Sequence, residues 1–438
     1  MNLKDKLRRL EGPQSGVETG KQQTITDLRR RLERIIDRDR NSAELAPATK
    51  APEETESLDI DRYVPGEFRD TPYGRAFVAL SRTDRSAYHG VLPLEALLEA
   101  DLGCLDLVCS DPALCRLDPS RALFLDTETT GLSGGTGSLA FLIGAGFFEG
   151  DAFVVEQYFM RDFEEEPAAL HLFAERVAGF DYLVTFNGRA FDVALLDARL
   201  TLARMDLVLA RMPNLDLLPP SRRLWRDIQE NCRLATIEEE QLEIIRNEDI
   251  PGSEIPAVYF DYIRERDARK ISRVFRHNEL DVLSMVTLTA RIARMLADHP
   301  AEQISAAERL SLGKIYESAG RMEQAAQAFG RSAESAEDKA LGRRSLRHQS
   351  MVFKRLGQSD RAVDIWNRLV AEKRHFDLQS YEELAKYLEH SARDYGRALA
   401  LVQEALERIG AGRPDEIAAL KHRLDRLVRK SQGSSPKD

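Results

Sequence analysis

The sequence predicts an α/β chain: a mixed five-stranded sheet flanked by helices, followed by an all-helical repeat region. Three observations predict it. Apolar runs of strand length occupy 121–126, 139–148 and 152–159, the last two joined by Glu149-Gly150-Asp151. From residue 166 onward, helix-period and strand-length segments alternate. Beyond Asp298-His299-Pro300 only helical periodicity remains, and a short pattern recurs.

The elements follow in order. Residues 1–60 are polar. Met1 to Leu10 lacks a signal-peptide core and reads as a short amphipathic helix. Ile25, Leu28, Leu32, Ile35 and Ile36 form one helical stripe among Arg29, Arg30, Arg31 and Arg34. That helix is expected to dock on the body; a partner or nucleic acid are its other uses. Residues 46–57, rich in Ala, Pro, Thr and Glu, read as a linker. The α/β domain is expected over 61–299. Its lead-in to about residue 120 has turn signals at Pro65-Gly66 and Thr71-Pro72 and should pack on the sheet. After the first three strands come a helix at 166–178, a strand at 182–186, a helix at 190–204 and a fifth strand at 207–210 or 214–218. More helices run to 245, and a long one spans 269–297. The helical repeats take 300–431, and 432–438 reads as a disordered tail.

Chemistry concentrates where the first strand ends, in Leu123-Phe124-Leu125-Asp126-Thr127-Glu128-Thr129-Thr130-Gly131. Side chains alternate along a strand, so Asp126 and Glu128 share a face and Thr127 takes the other. Like charges side by side at the end of a buried strand repel, and one should resist ionising. A bound cation removes the conflict, and hard oxygen ligands favour Mg²⁺ or Mn²⁺ over Zn²⁺. Asp192 follows an apolar strand and the Asn187-Gly188 turn; taken alone it also reads as a helix cap. Asp281 lies in the long helix near Val274, Phe275, Val282, Met285 and Val286, where a carboxylate is costly unless paired or metal-bound. His277 stands four residues before it, on the same helical face.

These segments resemble the three sequence motifs of the DEDD 3′–5′ exonuclease superfamily, built on a ribonuclease H-like fold. Asp126 to Gly131 matches the first, Asn187 to Asp192 the second and His277 to Asp281 the third. The Gly-rich 132–138 segment and Asp249-Ile250-Pro251-Gly252-Ser253-Glu254-Ile255-Pro256 narrow the resemblance to the YprB-like ribonuclease H-like group, over about 60–297. One departure stands out. The superfamily has Tyr four residues, or His five residues, before its third-motif Asp; here His277 occupies the Tyr spacing and Arg276 the other. The resemblance implies two divalent ions on Asp126, Glu128, Asp192 and Asp281; His277, one helical turn before Asp281, is expected from that spacing to act on the attacking water, the alternative being a hydrogen-bonded helix residue whose spacing matches by chance. Thr129, Asn187, Arg222 and Arg223 are the expected substrate contacts. Arg222, Arg223 and Arg226, like Arg264, Arg266, Arg269 and Lys270, read equally well as solvated helix faces.

In the repeats, Gly320-Arg321-Met322-Glu323-Gln324-Ala325 recurs as Gly357-Gln358-Ser359-Asp360-Arg361-Ala362, with a weaker unit at Tyr395-Gly396-Arg397-Ala398. Phe329 and Trp366 each follow the shared Ala by one helical turn. Spacing close to a ~34-residue period resembles tetratricopeptide repeats; a generic helical bundle is the alternative. A protein partner is expected there, and a chain ending near His299 is expected to fold and cut.

The bulk numbers set bounds. A net charge of −10 over 438 residues excludes a protein that coats nucleic acid by bulk attraction, but not a nuclease. No apolar stretch is long enough for a membrane span. Cys104, Cys109, Cys115 and Cys232 lack metal-ligand spacing and read as reduced cysteines of a cytoplasmic protein. The leading expectation is a metal-dependent 3′–5′ exonuclease acting on a DNA or RNA 3′ end. The alternative is a ribonuclease H-like and tetratricopeptide scaffold that no longer cuts. Retention of all four acids favours the enzyme.

Overall fold

The computed structural model describes residues 58–432 apart from 110–113, 115–117, 132–136, 248 and 301. The stripe at 25–36, the 46–57 linker, Cys115, Gly134, Gly135 and the last six residues lie outside the described residues.

Seven strands, not five, form the main sheet. They are β1 (Gly66–Thr71), β2 (Gly74–Asp84), β5 (Ala122–Thr129), β6 (Ala140–Glu149), β7 (Ala152–Phe159), β8 (Tyr182–Thr185) and β9 (Asn214–Asp216), in the order β1-β2-β7-β6-β5-β8-β9. Between β2 and β5, β3 (Tyr88–His89) and β4 (Leu92–Pro93) make a separate hairpin. The lead-in therefore extends the sheet, because β2 pairs antiparallel with β7 from Phe77 opposite Phe159 to Asp84 opposite Ala152. Only β5–β8 and β8–β9 pair in parallel. The edges are blunted by a polar β1 and a three-residue β9.

Helices cover both faces. α1 (Glu166–Val177) and α2 (Asp192–Leu202) cover one, packing Phe173 and Leu196 against Leu123, Leu125 and Ile143. After α3 (Leu218–Trp225), α4 (Leu234–Leu242) and α5 (Ile255–Glu265), the long α6 (Ala268–Leu296) covers the other. There Val282 and Val286 join one buried cluster with Ala122, Phe124 and Phe153. Each such side chain contributes on the order of 1.5–3 kcal/mol. The close approach of α6 needs bare backbone beneath it. A Cβ on Gly144 would sit 2.2 Å from Asn278 Oδ1, and one on Gly146 2.3 Å from Val282 Cγ1.

The chain then turns wholly helical: α7 (Ala306–Ser318), α8 (Met322–Ser335), α9 (Lys339–Arg355), α10 (Ser359–Ala371), α11 (Leu378–His390), α12 (Tyr395–Arg408) and α13 (Pro414–Gln432). Ala325, Ala362 and Ala398 are fully buried, with Phe329, Trp366 and Val402 one turn further in the same core. The turns before the first two units use Gly320 and Gly357 at φ 75° and 72°; the third puts Arg393 at φ 53°. This helical region is tied to the sheet domain. The α3 indole of Trp225 donates to Glu308 over 2.9 Å, and Tyr316 donates to the Leu296 carbonyl over 2.7 Å. No helix among the described residues is long and apolar enough to cross a membrane.

Candidate active site

β5 delivers two acids to α6. Ala122 and Phe124 face α6 while Leu123 and Leu125 face α1 and α2. By the same alternation Asp126 and Glu128 come out on the α6 side, and Thr127 on the α2 side. Asp126 stands opposite Gly144 on β6, so the helix above can reach it. Asn278 fills that space, donating from Nδ2 to Asp126 Oδ2 over 2.7 Å. The amide is held from behind by Gln157, whose Nε2 donates to Asn278 Oδ1 over 2.8 Å.

α6 also supplies Asp281 and His277. The His277 Nε2 lies 3.7 Å from Asp281 Oδ2 and 4.0 Å from Glu128 Oε1. These three side chains are only 12–17% exposed. Asp192 arrives from the opposite face, in the first turn of α2, where Phe191 rather than Asp192 holds the cap position. The Thr127 hydroxyl donates to its Oδ1. The turn leading there is fixed by Asn187 at φ 64°, whose N–H donates to Asp216 Oδ1 over 2.7 Å. Asp216 also accepts from the Leu218 N–H over 3.1 Å, the role of a turn cap.

The loop between α4 and α5 closes the site with Arg246 and with Asp249, the first residue of the 249–256 segment noted in the sequence. Arg246, whose side chain is 9% exposed, ion-pairs with both Glu238 and Asp281 and reaches Asp249 Oδ2 at 3.1 Å. Asp249 in turn meets His277 Nδ1, its two oxygens 2.9 and 2.8 Å away.

The electrostatics follow from this crowding. Burial, then the charges of Asp281, Glu128 and Asp192, push Asp126 well above the usual carboxylate range, against the Asn278 amide. Burial, then Asp281 and Asp192, raise Glu128 in the same way. Asp192 is pushed up to about 6 by burial, which outweighs the Thr127 hydrogen bond. Burial works against the Arg246 charge, but Asp281 and Glu238 overcome it and hold the guanidinium above its ordinary range. Burial likewise opposes the Asp249 charge, and the His277 and Arg246 contacts reverse it, leaving this carboxyl below the usual range.

The charges of Asp281 and Asp192 raise both Asp126 and Glu128, so the four carboxylates are electrostatically linked. Among the described residues no three acidic, histidine or cysteine side chains close into a finished cation cage. Each acid instead leans on a protein partner: Asp126 on Asn278, Asp192 on Thr127 and Asp281 on Arg246. Of the expected substrate contacts, Thr129 donates its hydroxyl to the Gly131 carbonyl over 2.9 Å. Asn187 shapes its turn, and Arg222 lies exposed on α3. Arg223 is engaged elsewhere: it donates to the Leu107 carbonyl over 2.8 Å and to Ser318 Oγ over 2.7 Å, joining the sheet domain to α7.

Comparison with known proteins agrees with this architecture. The sequence pattern of the RNase_H superfamily matches residues 123–293, from β5 through most of α6. The chain is also 33% identical, over 314 residues, to YprB of Bacillus subtilis (strain 168), a protein named only as uncharacterized. That similarity covers 71% of this chain and 75% of the relative. The chain belongs to the family of ribonuclease H-like proteins that includes YprB.

Proposed function

We propose that the chain is a metal-dependent nuclease that hydrolyses phosphodiester bonds of DNA or RNA, removing nucleotides from a 3′ end. The observation that carries this reading is the group of four carboxylates from β5, α2 and α6, where burial and then mutual repulsion raise Asp126 and Glu128. Asp126, Glu128, Asp192 and Asp281 would hold the ions. A pair of Mg²⁺ or Mn²⁺ ions held there would supply Lewis-acid activation of a water and charge neutralisation at the phosphodiester. His277 takes the water proton at Nε2, the ring atom that faces Glu128 and Asp281. Asn278 holds Asp126, and Thr127 holds one oxygen of Asp192, so neither carboxylate needs to search for its position. The helical repeats serve partner or substrate choice.

Digestion of end-labelled DNA and RNA oligonucleotides, with Mg²⁺, Mn²⁺ or chelator, tests the proposal. Stepwise loss from the 3′ end that stops on chelation is expected. Asp126→Ala and Asp192→Ala should each abolish it with the fold intact. Cleavage persisting in both variants sinks the assignment, and a wild type inert on every substrate favours the non-cutting scaffold.

A further inference from the structure

We propose that Asp249 is the positioning residue of His277: it fixes the imidazole as the Nδ1–H tautomer and so leaves Nε2 bare toward the acidic group. The proposal deepens the nuclease reading and rests on it for its catalytic consequence.

The geometry decides the tautomer. Both Asp249 oxygens lie within 2.9 Å of His277 Nδ1. A carboxylate only accepts, so a bare Nδ1 at that distance would set lone pair against lone pair. The proton therefore sits on Nδ1. Arg246 Nη1, 3.3 Å from the same nitrogen, is a second donor, and its productive partner is Asp249 Oδ2 at 3.1 Å. Asp249 is itself fixed: its Oδ1 accepts the Ile250 N–H over 2.8 Å, and its side chain is only 20% exposed. With Nδ1 occupied, the other face of the ring presents Nε2 to Glu128 and Asp281. A neutral imidazole can accept a proton only at the nitrogen without one. The carboxylate is thus what points the accepting atom the right way. Asp249 lies just before the 251–254 turn, in the loop that leads into α5.

The test reads the ring nitrogens before it reads activity. Long-range ¹H–¹⁵N spectra of the metal-free full chain, labelled at its eight histidines, report each tautomer. His277→Gln assigns the signal. We expect the Nδ1–H form in the wild type. Asp249→Asn, with its oxygen kept on the Ile250 N–H, puts an NH₂ in the place of Oδ2, 2.8 Å from Nδ1, so the Nε2–H form should gain; Asp249→Ala should give a mixture. Cleavage by Asp249→Asn should fall by about 10²-fold or more in kcat, the loss expected for a misdirected general base, with KM nearly unchanged. An Nε2–H ring in the wild type, or a tautomer indifferent to both substitutions, overturns the proposal. So does a cleaving enzyme whose kcat ignores Asp249→Asn. If the wild type cuts nothing while the tautomer responds as expected, the nuclease reading fails and Asp249 keeps its positioning role.

Discussion

Asn278 and Asp126, 152 residues apart in sequence, share a 2.7 Å hydrogen bond made possible by Gly144, which leaves α6 room to reach β5. The amide is fully buried, and its other end is held by Gln157.

Asn278→Ala should therefore cost about 1–3 kcal/mol, since it leaves the buried Gln157 amide without that acceptor. Gly144→Ala should cost a similar ~1–3 kcal/mol by forcing α6 off the sheet. Urea midpoints measure both. A Gly144→Ala midpoint equal to wild type would refute the close-packing argument.

Stability of the metal-free chain should fall as pH rises from about 4 through about 6. Asp192 sits at about 6, and Asp126 and Glu128 are likewise raised from their ordinary values near 4. Between those limits the folded chain binds more protons than the unfolded one, which makes the slope negative. Asp126→Asn should raise the neutral-pH stability of the metal-free form by roughly 1–3 kcal/mol and flatten the slope. Thermal melts across pH, with and without Mg²⁺, check this. Wild type should gain from the ion and Asp126→Asn should not.

A chain ending near His299 should be poorly soluble, contrary to the separability that the sequence pattern invites. It would strip Glu308 from the buried Trp225 indole and from Arg291, whose Nη2 lies 3.4 Å from Glu308 Oε1. Glu308→Ala in the full chain should cost about 2–4 kcal/mol for the same reason. Denaturant melts and soluble yield decide. A fully stable truncated chain would contradict the shared core.

Arg393→Gly should stabilise the chain by up to ~1 kcal/mol, because the left-handed backbone that Gly320 and Gly357 adopt freely is strained for a side chain. A small rise in melting temperature is expected, whereas Gly357→Arg should lower it.

The sequence spoke clearly where chemistry dictates residue type. Asp126 and Glu128 could be put on one face because strand alternation has a period of two, and α6 was readable from its apolar stripe. The two added strands were not read: Gly66–Thr71 is a polar edge, and β2 is defined by its pairing with β1 on one side and β7 on the other. Asn278, Arg246 and Asp249 were not assigned roles because their contacts cross loops and faces that no local pattern records; the hints were the position of Asn278 inside the third motif and that of Asp249 at the head of the 249–256 segment. Arg223 misled for the opposite reason. A run of arginines looks alike whether it holds phosphates or, as here, a carbonyl and a serine across a domain joint.

The alternation along β5 also ties chemistry to correct folding. Its register is held on both sides, by β6 opposite Asp126 and by β8 alongside Phe124. A slip of one residue would turn Asp126 and Glu128 toward α1 and α2, and leave Thr127 facing α6. A half-folded or misthreaded chain would then carry every acid in its sequence and still present no common pocket for them. The proposed cleavage of nucleic acid would thus be withheld from misthreaded copies by strand geometry.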